Sequence, residues 1–179
     1  MPESDFANVT ISGVKPDIVT LAKSLSGMGL PFALTLFRPE LDVWKPGEHN
    51  GTFRGNNHAF VTSAAALRHF WTTDAFAQDV KRRGEILEGR LERMAEKHGL
   101  STRGRGMIRG IDVGSGEVAS AITQACFAEG LIIETSGAHD EIVKVLAPLV
   151  IDDDLLSAGL DILEQAIADE LSPSLGVAA

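Results

Sequence analysis

Short apolar runs bounded by glycine and proline open the chain, and longer stretches with apolar residues every three or four positions follow. Ile18-Val19-Thr20-Leu21 and the run at 32–37 (Phe-Ala-Leu-Thr-Leu-Phe, between Pro31 and Pro39) are too short for helices and predict buried strands. The first is of the kind that sits in a parallel sheet with neighbours on both sides. Residues 44–58, WKPGEHNGTFRGNNH, interrupt the pattern with three Gly and three Asn and predict a turn-rich loop. Asn56 or Asn57 can cap the helix that follows, Ala59 to about Trp71, whose Ala-rich and mostly apolar faces predict burial. A longer helix is predicted from Asp74 as N-cap to about His98. Its stripe is Phe76, Val80, Ile86 or Leu87, Leu91 and Met94, and Gly99 stands where a left-handed terminal residue belongs.

From residue 101 short strands alternate with helices. Strands are predicted at 107–113, 131–134 and 142–146. Helices are predicted at 116–129, with Ala119, Ile122, Ala125, Cys126 and Phe127 as the apolar side, and from Asp152 onward. In that last helix Leu155, Leu156, Leu160, Leu163, Ile167 and Leu171 form the stripe. The alternation predicts an α/β protein divided near Thr72 to Asp74 into parts 1–73 and 74–172, with a frayed tail at 173–179.

Composition narrows the classes. A chain of 179 residues, 44% hydrophobic and 23% charged, is long enough for a real core and too apolar for general disorder. Sixteen Lys+Arg against 25 Asp+Glu leave a formal charge of -9, which argues against a dedicated nucleic-acid or anionic-membrane binder. The single cysteine, Cys126, cannot form an internal disulfide and predicts a reducing compartment. No apolar run reaches a membrane span and the first residues lack a signal-peptide pattern, so the expected location is the cytoplasm.

Three segments could carry chemistry. Lys23 follows a buried strand and precedes Ser24-Leu25-Ser26-Gly27-Met28-Gly29. A lysine at such an exit is expected to be partly desolvated, which frees the amine for Schiff-base chemistry; a solvated surface lysine is the alternative. The loop His49-Asn50-Gly51-Thr52-Phe53-Arg54-Gly55-Asn56-Asn57 offers a hydroxyl, backbone N–H groups and a helix start, the elements of a phosphate site, or else a polar connector. Arg103, Arg105 and Arg109 alternate with glycines; without aromatic interleaving they are read as pinning a strand start, one of them meeting a carboxylate. Residues 134–141 (ETSGAHDE) match no metal-ligand spacing and read as a solvated turn. No metal is expected.

Read in order, these segments resemble the pyridoxal-phosphate-dependent class III aminotransferases. Residues 16–23 (PDIVTLAK) resemble the strand ending in that family's Schiff-base lysine, and residues 51–57 (GTFRGNN) resemble its Thr-Phe-x-Gly-Asn segment. Residues 103–107 and 145–149 also fit, so the resemblance spans about residues 14–170. It implies a fold-type I transferase: 1–73 the end of the cofactor-binding large domain, 74–172 the small C-terminal domain. Lys23 is then the catalytic residue that binds pyridoxal 5'-phosphate and moves the substrate proton. Thr52 binds the cofactor phosphate, reaching the neighbouring site of a homodimer. Lys144 stands where many members carry the arginine for the substrate carboxylate, without the bidentate fork.

The stretch 44–57 is most similar to the ectoine-pathway branch of the class. That similarity implies amino transfer from glutamate to aspartate 4-semialdehyde, giving L-2,4-diaminobutyrate and 2-oxoglutarate. Other ω-amino substrates (ornithine, 4-aminobutyrate, acetylornithine) or an inactive fragment are the alternatives. The family's Gly-rich phosphate loop, ring-stacking aromatic and pyridine-facing Asp have no counterpart before Lys23. The chain is therefore expected to be a C-terminal portion that exposes apolar surface and self-associates.

Overall fold

The computed structural model describes residues 13–27, 29–52 and 54–172. The expected tail at 173–179, Met28 and Phe53 lie outside the described residues. The chain divides into two compact units, one ending at Thr73 and one beginning at Asp74.

In the first unit, β1 (Ile18–Ala22) and β2 (Ala33–Phe37) pair antiparallel, Ile18 opposite Phe37 and Ala22 opposite Ala33. The expectation of a parallel strand with two neighbours is not met among the described residues. The segment between the strands is shorter than the dozen or so residues that a parallel crossover needs. Instead the chain reverses through a 3₁₀ turn at Lys23–Ser26 and the positive-φ Gly27 and Gly29. Nor is the pair buried: β2 is exposed along its whole length. A second 3₁₀ turn, Pro39–Leu41, follows, with Arg38 paired to Asp17 at 3.1 Å.

Helix α1 runs from Asn57 to Phe70. Its cap is Asn56, whose side-chain oxygen accepts from the N–H groups of His58 and Ala59 at 3.1 and 3.2 Å. The burial predicted for it is confined to Ala59 and Ser63; Phe60, Val61 and Leu67 are exposed.

The second unit is a four-stranded antiparallel sheet with three helices. Helix α2 (Ala75–His98) starts at Asp74, whose side chain makes no capping bond, and stops at Gly99 with φ 67°. β3 (Ser101–Arg105) and β4 (Ile108–Asp112) form a hairpin. After α3 (Gly116–Ala128) come β5 (Glu134–Ser136) and β6 (Ile142–Leu146), in the sheet order β3-β4-β6-β5. Helix α4 (Asp153–Leu171) closes the unit. Alternation selects one sheet face for the core: Ile111 lies opposite Val143, with Val145 two residues on. Against that face pack Leu87, Leu91 and Met94 of α2, Ile122 and Cys126 of α3, and Leu160, Leu163 and Ile167 of α4. Each fully buried aliphatic side chain contributes roughly 1.5–3 kcal/mol.

Two glycines let the layers meet. A methyl group on Gly84 would stand 3.0 Å from the Gly106 Cα, so α2 crosses the β3–β4 turn at a glycine–glycine contact. Ion pairs line the α2–α4 seam: Arg82 and Arg83 both bind Asp153, and Arg90 binds Asp161 and Glu164. Among the described residues no helix is long and apolar enough to cross a membrane.

Candidate active site

Lys23 sits at the turn where β1 ends. Its φ of 61° places a non-glycine residue in the left-handed region, and Asp140 is the one other such residue among those described. Strain of this kind costs about 1–3 kcal/mol and persists where surrounding structure enforces it. Here the enforcement comes from the residues after it. Ser26 is fully buried, and Gly27, at φ 73°, donates its N–H to the Ser24 carbonyl. A methyl group on Gly27 would lie 2.8 Å from the Ala66 Cβ. The turn is thus seated on the middle of α1 and tolerates no side chain at the contact. The Lys23 side chain is exposed, on an open concavity of about 550 Å³ that Leu30, Pro31 and Phe32 also line. The desolvation expected for this amine is not met among the described residues: the turn packs through Ser26 and Gly27 and leaves the lysine exposed.

The Thr52 loop is tied to the same helix. Phe32, on the concavity, meets Phe60 in the first turn of α1 edge-on, with ring centroids 5.2 Å apart. The Phe60 ring in turn lies 3.5 Å from where a methyl on Gly55 would stand. The lysine turn and the threonine loop therefore share α1 as their support. Thr52 itself is exposed, inside a turn closed by the Arg54 N–H donating to the Gly51 carbonyl at 3.1 Å. Part of the expected phosphate site is already used: the His58 and Ala59 N–H groups at the start of α1 are held by Asn56. The Thr52 hydroxyl lies in the loop that precedes α1.

A side-chain cluster that no sequence period marks also lies in this loop. Trp44 and His49 meet edge-to-face, with centroids 3.8 Å apart and planes 69° apart, and Arg54 donates to His49 Nδ1 at 3.2 Å.

Lys144 belongs to the second unit. It lies on the sheet face away from the core and pairs directly across the β5–β6 ladder with Glu134 at 2.9 Å. Of the three arginines in the Arg-Gly stretch, two meet carboxylates where one was expected: Arg103 binds Asp112 at 2.8 Å, and Arg109 binds Glu88 of α2. The 134–141 segment is held by its own carboxylate. Glu141 accepts from the His139 N–H at 2.8 Å, and its own backbone N–H and that of His139 hold its carboxyl below the usual range. Among the described residues no three His, Cys, Asp or Glu side chains converge to hold a metal.

A lysine on a strained strand-exit turn and a threonine in the loop before a capped helix thus rest on one supporting helix. The chain belongs to the class-III aminotransferases, whose family model matches residues 5–167. Its relatives are specific. It is 55% identical over 172 residues to the diaminobutyrate–2-oxoglutarate transaminase of Halomonas elongata, covering 93% of this chain and 41% of that protein. It is 50% identical over 171 residues to the transaminase of the same name from Bordetella parapertussis, covering 93% and 39%. Among solved structures, acetylornithine aminotransferase from Elizabethkingia anophelis superposes with a TM-score of 0.76 at 28% identity, covering 89% of this chain and 43% of that one. The chain thus spans about two fifths of the length of the curated relatives it matches.

Proposed function

We propose that this chain contributes the Schiff-base lysine and a phosphate contact to a pyridoxal-phosphate-dependent aminotransferase. The reaction moves an amino group from glutamate to aspartate 4-semialdehyde, giving L-2,4-diaminobutyrate and 2-oxoglutarate. The observation that carries the proposal is Lys23, a lysine held at φ 61° on a turn clamped to α1 and presented to an open concavity. The choice of substrate rests on the similarity of about half of all positions to enzymes of that name.

The donor set fits the cofactor. A primary amine is the group that condenses with an aldehyde, and a hydroxyl in a loop leading into a helix suits a phosphate. Pyridoxal phosphate, when bound, supplies the electron sink for the transfer. The chain's own contributions are then definite. Lys23 Nζ would hold the cofactor through its aldehyde, with loss of water, and once free would hold and move the substrate proton. Thr52 Oγ1 donates to a phosphate oxygen, reaching the neighbouring site of a homodimer. Lys144 pairs with a substrate carboxylate, for which Glu134 holds its ammonium in place meanwhile. In this account residues 1–73 are the end of the cofactor-binding domain and 74–172 the small domain, working in the cytoplasm on amino and 2-oxo acids without nucleic acid or membrane.

An amino-donor panel tests the substrate. The chain is assayed alone and complemented with a second chain supplying the rest of the relatives' length, with 2-oxoglutarate as acceptor. Diaminobutyrate is expected to be the best donor. Faster turnover of ornithine, 4-aminobutyrate or acetylornithine would replace it.

A further inference from the structure

We propose that Trp44, His49 and Arg54 form a proton-sensitive clasp that sets the conformation of the loop carrying Thr52, closed while His49 is neutral and open once it is protonated. The proposal concerns the loop itself, and its consequence for phosphate binding rests on the function proposed above.

The geometry fixes the chemistry of the central residue. A guanidinium has donors and no acceptor, so the contact between Arg54 Nη2 and His49 Nδ1 at 3.2 Å requires Nδ1 to accept. The closed clasp therefore holds the neutral imidazole with its proton on Nε2. The imidazole also meets the Trp44 indole edge-to-face, with centroids 3.8 Å apart. From His49 the Arg54 side chain folds back over Gly51, where a methyl group would stand 2.8 Å from its Nε. The Arg54 N–H closes the 51–54 turn from the backbone side. Thr52 lies inside that turn, so the clasp spans the residue it positions.

Protonating His49 puts a second cation and a second donor against the guanidinium, and the contact is lost. Arg54 is the charged group facing the ring. The neighbouring Glu48 is turned to the Lys45 N–H at 2.8 Å, and among the described residues Arg54 makes no ion pair that would offset the repulsion. Partial desolvation, and next the Arg54 charge, hold the His49 pKa below the ordinary imidazole value. The sign follows: the clasp contributes fully above that ordinary value and is lost as pH falls through the lowered one.

The test uses the 179-residue chain without cofactor, titrated from about pH 8 to about pH 5. Trp44 emission is read in a Trp71→Phe background, because the chain has two tryptophans and an imidazolium in contact with an indole quenches it. The Thr52 amide is followed by NMR in the unsubstituted chain. The expected result is quenching of Trp44 and movement of the Thr52 amide with one shared midpoint, below that of an ordinary histidine. His49→Gln abolishes both, and Arg54→Ala moves the midpoint up. A Thr52 amide that ignores the His49 titration, or a midpoint unchanged by Arg54→Ala, overturns the proposal. Failure of the cofactor reading looks different: pyridoxal phosphate would not label Lys23 selectively, while the Thr52 amide still followed His49.

Discussion

The two units of this chain are stabilised in different ways. The second, from Asp74 onward, has a core of its own, with Leu87, Leu91, Ile111, Ile122 and Ile167 shielded from solvent and ion pairs along its α2–α4 seam. In the first unit the buried described residues are Ala59, Ser26 and Ser63, and the two serine hydroxyls have no hydrogen-bond partner. Yet Lys23 and Thr52 lie in the first. The first unit holds its geometry by local devices: a strained lysine, a glycine contact, an asparagine cap, two edge-on rings and the Trp44–His49–Arg54 clasp. Such devices fix positions over a few residues and add little to global stability.

The sharpest contrast comes from truncating one side chain in each unit. Leu91→Ala, in the sealed core, is expected to cost about 2–5 kcal/mol in urea unfolding. Phe60→Ala, half-exposed against Phe32, is expected to cost only about 0.5–1.5 kcal/mol. Hydrogen exchange read by mass spectrometry should protect α2 and β4 strongly and the β1–β2 pair weakly. Equal protection of both units would break the comparison.

Gly27→Ala asks for a methyl where Ala66 already sits and for a side chain at positive φ. It is expected to cost about 1 kcal/mol or more and to displace the Lys23 turn, seen as loss of cofactor labelling with the second unit's melting unchanged. Asn56→Ala removes the cap of α1 at about 1 kcal/mol, with the loss confined to α1 amides. The smallest effect is expected at Asp153. Its hydrogen bonds from Arg82, and secondarily from Arg83, hold its pKa below the ordinary aspartate value. Its contribution is therefore full above that value and lost as pH falls through the lowered one. Asp153→Asn should flatten the acid limb of the second unit's Tm profile and leave the first unit's unchanged.

The sequence made the helices legible because their signals are local. Gly99 ends α2, Asn56 caps α1, and Leu87 and Leu91 keep the helical period. Where two residues competed, burial chose Leu87 over Ile86. Strands were harder. β3 reads Ser-Thr-Arg-Gly-Arg, with no apolar alternation, and exists because the 106–107 turn folds it onto β4. The strand expected at 131–134 begins instead at Glu134, since Leu131 packs into the core while Ile132 points to solvent, 85% exposed. Leu155 follows the α4 stripe yet stays exposed, lining an apolar groove of about 380 Å³ beside β6. In the site, Lys23 and Thr52 stood out by motif. Their shared support on α1 and the clasp depend on contacts between side chains five or more residues apart in irregular loops, where no period applies.

Lys23 is proposed as the amine that binds the cofactor aldehyde. Borohydride reduction with added pyridoxal phosphate, followed by peptide mass mapping, tests it most directly, with Lys23→Ala as the control. One dominant reduced adduct is expected, on Lys23, absent from the control. Label spread over several lysines, or unchanged in Lys23→Ala, would contradict it.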